Sequence, residues 1–508
     1  MDAVYLSRLQ FAFTIMFHYL FPPLTIGMGL VLVYLEGMYL RTKEPIYESA
    51  AKFWTSLYAV TFAMGVATGI VMEFEFGTNW AVYSRFVGDV FGSALAAEGI
   101  FAFFLESGFL AVLVFGWDKV TPRFHFFATT MVALGSTFSA VWIIIANSWQ
   151  QTPAGHKVVP VLKDGQPWLV NGQPMMRAET ADFLQVLLSP SSLDRLAHTL
   201  IGAYIVGSFF VISISAWYLL KRKHVDFAKR SLTGALILAT FWSCAQLLSG
   251  HSNSRMVARQ QPAKLAAFEG HFETGPAALH LIGVPDAAER RVKFGFAIPG
   301  MLSFLVHDDL SKPVWGLDKI RQEFWPPLVT TFMSYHLMIS VGMYLIGLTL
   351  FASFLRWRNK LFEQRWLLWV LVISIIGPIA ANEAGWMAAE VGRQPWIVHP
   401  PLLRDAAGQP VLDAAGMLQY MPGEGLLTSR GVSEAVRGEE VLASIIMFSI
   451  VYALLFFIWI YVLNDKIQKV PKPVTIVQGG TPHGWLEATS ERTAHRGSMS
   501  EAKDESAT

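Results

Sequence analysis

Two stretches of the chain place ionisable side chains inside long apolar runs: MEFEFGTNW around Gly77, and NEAGWMAAEVGRQPW around Glu383. A charged group at bilayer depth is expensive, so it normally faces a cavity, a bound group or an ion path. His18, His198, Met338 and Glu383 are four side chains in such runs that can ligate a metal. Glu98 and Glu106 lie eight residues apart in another. On a helix that spacing sets them about 80° apart around the axis and about 12 Å apart along it, which suits two stations of one proton path. Each residue also has a plainer reading. A lone histidine can simply pack and hydrogen-bond, a methionine is a gap-filler, and each glutamate could pair with a cation on a neighbouring helix. Arg393 could be the counter-ion of Glu383 or could grip an anionic group.

The elements that must hold these residues follow from composition. With 53% hydrophobic and 15% charged residues, 37 Phe and 17 Trp in 508 positions, the chain cannot cover itself with a polar shell. It reads as an all-α polytopic membrane protein. A formal net charge of +1 gives no global field for nucleic acid. One cysteine, Cys244, excludes an internal disulfide and any multi-cysteine metal cluster.

Nine runs are long enough to cross about 30 Å of hydrocarbon. Their approximate limits are 11–38, 54–75, 92–116, 125–147, 196–220, 231–249, 327–355, 366–391 and 440–463. The first has no small-residue cleavage site and is expected to be a retained span. Lys and Arg gather in the short connections after the odd-numbered spans, at Arg41, Lys119, Lys221 and Arg356 among others, and in the tail at Lys466, Lys469 and Lys472. The positive-inside rule then sets the N-terminus outside and the C-terminus in the cytoplasm. Four regions are expected: membrane helices over 1–249, an external loop over 250–325, membrane helices over 326–465, and a cytoplasmic tail over 466–508, disordered from about Thr481 on composition. The external loop is too long to be an idle connection. Its run HSNSRMVARQQPAKLAAFEGHFET has near-helical spacing and could rest on the membrane surface as an interfacial helix.

With that topology His18, His198, Met338 and Glu383 share the outer half of the membrane. Imidazole and thioether are standard haem ligands, so two or three haems near the external face is a reasonable inference.

The strings SRLQFAFTIMFHYLFPPLTIGM, MEFEFGTNW, GSALAAEGIFAFFLES, ISAWYLLK and EAGWMAAEVGRQPW run in order through nearly the whole membrane part. In them the chain resembles subunit I of the cytochrome bd family of quinol oxidases. The resemblance implies that His198, in RLAHTL, and Met338, in YHLMIS, are axial ligands of a low-spin haem b. It makes His18 and Glu383 ligands at a paired high-spin haem b and haem d, or a further haem b in place of haem d, without saying which residue serves which. Glu98 and Glu106 match the family's acidic pair at the di-haem site and proton path, with Ser139 a possible relay. Lys264 and Glu269, in AKLAAFE, match the quinol-binding loop, and Arg393 falls in the signature GRQPW.

The implied activity is that of a terminal respiratory oxidase. Quinol, either ubiquinol or menaquinol, is oxidised at the external face, and dioxygen is reduced to water with cytoplasmic protons and no pump. The resemblance further implies a bacterial cytoplasmic (inner) membrane, a second large membrane subunit, and leaves room for a small one-span subunit. Two features depart from the broader family pattern. The segment between Glu273 and span seven is short, as in the branch that includes the cyanide-insensitive oxidases, and His336 stands two before Met338 where arginine is expected. Two other classes fit the buried charges: a proton-coupled transporter, against which the sequence shows no internal repeat or paired broken helices, and a plain di-haem electron carrier.

Overall fold

The structure, a computed structural model, describes residues 2–170 and 173–469. Lys472 and the stretch from Thr481 lie outside the described residues. The membrane body is built from α1 (Ala3–His18), α2 (Pro22–Thr42), α3 (Pro45–Gly77), α4 (Ala81–Glu98), α5 (Phe104–Phe115) and α6 (Pro122–Gln151). After a short α7 (Phe183–Leu187) come α8 (Ser192–Leu220), α9 (Val225–Gln260), α10 (Pro262–Glu269) and α11 (Met301–His307). The chain continues with α12 (Leu328–Trp357), α13 (Arg365–Ile373), α14 (Ile376–Val391), a single turn α15 (Thr428–Gly431) and α16 (Gly438–Gln468). Eight helical segments among the described residues are long and apolar enough to cross a membrane, with Ala3–Thr42 and Arg365–Val391 each counted as one. Residues 81–115, where a ninth span is expected, form α4 and the shorter apolar α5, joined through the π-helical turn Gly99–Phe103. The chain is a multi-pass membrane protein.

Local sequence explains where these helices begin. Pro22, Pro45, Pro122 and Pro262 occupy first helical positions, where the missing N–H is no loss. Asp2 and Thr121 cap α1 and α6 by accepting from Val4 N and Phe124 N. The helices pack by close backbone approach. A Cβ on Gly207 of α8 would lie 2.3 Å from the Gly27 carbonyl carbon of α2, and one on Gly27 would lie 2.5 Å from the Ala203 oxygen. Small residues at such a crossing let membrane helices gain dispersion contact without a hydrophobic driving force.

Four features differ from the sequence reading. The first span is broken at residues 19–21, because Pro22 and Pro23 cannot donate to the carbonyls of His18 and Tyr19; Phe21 N bonds His18 O instead, at 3.1 Å. The eighth is broken likewise before Pro378, with Gly377 N taking the Ser374 carbonyl at 3.1 Å. Broken membrane helices are therefore present, although the sequence reading expected none in pairs. α9 does not stop at residue 249 but continues to Gln260, since polar residues end an apolar run without ending a helix. The expected interfacial helix over 251–274 is thus the end of α9 plus the separate α10. The remainder of that region forms a hairpin, Leu279–Asp286 against Arg291–Ile298.

Candidate functional site

A cavity of about 690 Å³ opens among α8, α9, α10, α12 and α14, within the usual size range of sites for organic ligands. His198, Met338, Lys264 and Glu269 all line it. On α8, His198 sets Nδ1 3.3 Å from Ser249 Oγ and Nε2 3.3 Å from Gln246 Nε2, which also donates to the His198 carbonyl at 3.2 Å. On α12, Met338 aims its sulfur at α14: a Cβ on Gly385 would stand 3.0 Å from Sδ. His336 is turned away from the ligand role. Its Nδ1 lies 2.9 Å from Phe332 O and its Nε2 2.8 Å from His280 O.

The other two candidate ligands, His18 and Glu383, lie on the two broken spans, at the end of α1 and within α14. Tyr19, next to His18, packs edge-on against Trp386 at 5.3 Å, and its hydroxyl reaches Asn382 Oδ1 at 3.5 Å, so its contacts bracket Glu383. His18 Nδ1 lies 2.9 Å from Thr68 Oγ1. That hydroxyl also lies 2.9 Å from the Met64 carbonyl; with its proton given to that carbonyl, its oxygen would accept from Nδ1–H and leave Nε2 a bare lone pair, the form a metal ligand needs. Both carboxylate oxygens of Glu383 are buried with no partner among the described residues. An isolated buried carboxylate is costly unless something pairs with it, and an iron would.

Beside the cavity lies a buried charge cluster that the sequence reading caught only at Arg393 and Lys264. Arg393 Nη2 donates to Glu390 Oε2, while Asn147 Nδ2 and Gln151 Nε2 donate to Glu390 Oε1 at 3.0 and 3.1 Å. Arg195 donates through Nε to Ser148 Oγ at 3.2 Å and through Nη2 to Asn147 Oδ1. Lys264 Nζ donates to Gln151 Oε1, and to Gln261 Oε1 at 2.6 Å. Arg393 thus pairs with Glu390 directly while Arg195 and Lys264 act on the same carboxylate through space, and Arg393 Nε and Nη1 are buried without partners among the described residues. The donor set suits an anion such as a haem propionate.

Electrostatics differ for the two loop residues. Burial, with Arg195 and Arg393 adding to it, pushes the Lys264 ammonium well below its ordinary value. Burial pushes Glu269 up to about 8, against a smaller opposing pull from the Tyr335 hydroxyl and the His280 backbone.

Glu98 and Glu106 face α6 together. Ser139 Oγ donates to Glu98 Oε1 at 2.6 Å; Glu106 Oε1 accepts from Ser136 Oγ and, at 3.0 Å, from Tyr58 OH. The expected 80° offset does not hold. The π turn Gly99–Phe103 absorbs one residue, so eight positions act as seven and the two acids fall about 20° apart. No Lys or Arg makes an ion pair with either acid among the described residues.

Sequence reasoning missed Arg195, Glu390, Ser136, Tyr58 and Thr68. Two had a readable signal: Arg195 stands one turn before His198, and Glu390 stands seven residues after Glu383 on the same face.

Comparison with known proteins identifies the family. The family model for cytochrome bd terminal oxidase subunit I matches residues 6–471. The chain is 35% identical over 481 residues to the cytochrome bd ubiquinol oxidase subunit 1 of Bacillus subtilis, covering 92% of this chain and 94% of the relative. It is 34% identical over 466 residues to the cytochrome bd-II ubiquinol oxidase subunit 1 of Escherichia coli, covering 78% and 88%. A solved bd oxidase from Geobacillus thermodenitrificans superposes with a TM-score of 0.78 at 27% identity, over 92% of this chain and 99% of that one. The chain belongs to the cytochrome bd terminal oxidase subunit I family, a haem-containing quinol oxidase family.

Proposed function

We propose that the chain oxidises quinol at an external site and supports reduction of dioxygen to water with protons taken from the cytoplasm. The observation that carries this reading is the shared cavity: Lys264 and Glu269, the expected quinol contacts, line the same space as His198 and Met338, the expected low-spin haem ligands. Glu269 is the acceptor for a quinol proton, and Lys264 orients the ring oxygen. His198 and Met338 hold a low-spin haem b, with Arg393 and Arg195 gripping its propionates. His18 and Glu383 hold the high-spin haem b and the haem d, or a haem b in its place. Haem iron supplies electron transfer and oxygen chemistry; the protein supplies ligands, dielectric and protons.

Ser139 with Glu98, and Ser136 and Tyr58 with Glu106, hold protons in line below that centre. With the Lys- and Arg-rich ends in the cytoplasm, charge separation follows from taking protons in on one side and releasing them on the other, without pumping. Ubiquinol or menaquinol is the donor. A bacterial cytoplasmic membrane is the setting, with a second large subunit and a small one-span subunit as partners. The exposed apolar face of α16, whose most hydrophobic window is only 11% buried, leaves room for one.

The test is a reduced spectrum and quinol-driven oxygen uptake of the purified complex. Haem b and haem d bands with uptake support the reading; a colourless complex, or one that reduces its haems without consuming oxygen, refutes it.

A further inference from the structure

The α6 face that carries Ser136 and Ser139 continues toward the end of the helix marked by Arg123. His125, Thr129, Ser136 and Ser139 fall within about 80° of one another around α6 and spread over about 21 Å of its length. Ser139 and Ser136 hold Glu98 and Glu106. At the far end of the stripe a third carboxylate repeats the arrangement. Glu36 of α2, 3% exposed, accepts from Thr129 Oγ1 at 2.6 Å through Oε1 and meets His125 Nδ1 at 2.9 Å through Oε2.

His125 is only 2% exposed, and its Nε2 is buried with no partner among the described residues. Trp117 covers the imidazole, with ring centroids 3.8 Å apart. Beyond it Lys52 of α3 lies 5.3 Å from the Trp117 ring, paired with Glu48 at 2.7 Å and facing Asp118 at 3.9 Å. On α3, one turn before Tyr58, Thr55 adds a buried hydroxyl that also has no partner. A buried polar group of that kind normally marks a place for ordered water.

We propose that Glu36 and His125 form a proton-loading pair that feeds Glu106 along this face of α6, with His125 Nε2 as the entry point. A proton taken up at Nε2 releases the one on Nδ1 to Glu36 Oε2. The Glu36 carboxyl then turns to present that proton to the Thr129 hydroxyl, which accepts it as it passes its own proton on; one proton has moved, and His125, left as the Nε2–H tautomer, returns to the Nδ1–H form before it loads another. From Thr129 to Ser136 is about 10 Å along the helix, a gap that about three hydrogen-bonded waters at about 2.8 Å spacing would bridge. The proposal rests on the reading that Glu98 and Glu106 supply protons for oxygen reduction.

The test uses the intact oxidase complex carrying Glu36→Gln, His125→Gln, Thr129→Val or Thr129→Ser, with Glu106→Gln alongside. Three quantities are read: the reduced haem spectrum, the rate at which quinol reduces the haems without oxygen, and oxygen uptake between about pH 6 and about pH 9. The first three variants should keep spectrum and haem reduction while oxygen uptake falls about tenfold or more, most steeply at high pH where protons are scarce. Thr129→Ser should restore uptake. Normal uptake across the range, in any of the three that keeps its haem bands, overturns the proposal. Thr129→Val, the mildest change, decides the case if a variant of the charged pair does not assemble. Slow uptake in Glu106→Gln with normal uptake in the others refutes only this proposal; normal uptake in Glu106→Gln refutes the reading beneath it.

Discussion

Thr68 fixes which nitrogen of His18 can reach a metal. Its oxygen lies 2.9 Å from Nδ1 and can take the Nδ1 proton when its own goes to Met64 O, also at 2.9 Å. Outer-shell partners of this kind typically hold about 10–100-fold in metal affinity or activity. Thr68→Val should therefore weaken haem retention at the His18 site while leaving the low-spin bands, and Thr68→Ser should not. Unchanged haem content in Thr68→Val, measured by extraction and spectrum, would remove the hydroxyl from the site.

Gly385 leaves Met338 its room. A methyl there would meet Sδ at 3.0 Å and displace it, so Gly385→Ala should shift the low-spin spectrum and slow quinol oxidation. Met338→Leu and His198→Ala should abolish that spectrum outright. Normal low-spin bands in all three would refute the assigned ligands.

Quinol oxidation should rise with pH through about 8. Glu269 can accept a proton only when ionised, and with its carboxyl pushed up to about 8 the ionised fraction grows as pH climbs through that value. Glu269→Gln should slow the reaction and flatten this limb without altering any haem band. An unchanged pH profile in the variant would show that the base lies elsewhere.

Oxygen reduction should slow in Glu106→Gln and in Ser136→Ala, with quinol reduction of the haems retained. Ser136 touches Glu106 directly, so its effect should be smaller than that of Glu106→Gln but in the same step. Single-turnover reaction of the reduced complex with oxygen separates the two halves of the cycle.

Gly207→Val should prevent assembly or lower stability by at least about 1–3 kcal/mol, the usual cost of overpacking. The methine carbon would meet α2 backbone at 2.3 Å, and backbone cannot swing aside as a side chain does. Thermal denaturation of the complex reads this directly.

How much of this was legible in the sequence depended on how unusual each residue is in its setting. His18, Glu383, Glu98 and Glu106 stand out because acids and imidazoles are rare in apolar runs, and all nine runs correspond to helical segments. Ser136, Tyr58 and Thr68 gave no such signal: hydroxyls are common in membrane helices and cheap to bury when they bond back to the chain. Arg195 and Glu390 sat close to run ends, where charge looks like an interfacial anchor. The end of α9 was misread because a drop in hydropathy marks the edge of lipid, not of hydrogen bonding. Both helix breaks carried their cause openly in Pro22-Pro23 and Pro378.

Least visible of all was the widened turn Gly99–Phe103, since side-chain periodicity does not record which carbonyl an amide chooses. Its consequence is one residue of slack in chain length. Removing any one residue from that turn would let the backbone relax to ordinary helix without losing a span, yet it would swing the two acids through roughly a quarter of a revolution or more relative to the seven-residue spacing only if the turn stayed wide. With the turn relaxed they would stay aligned, so a one-residue deletion there should be tolerated where the same deletion in α6, which has no such slack, would pull Ser136 and Ser139 out of step with their partners.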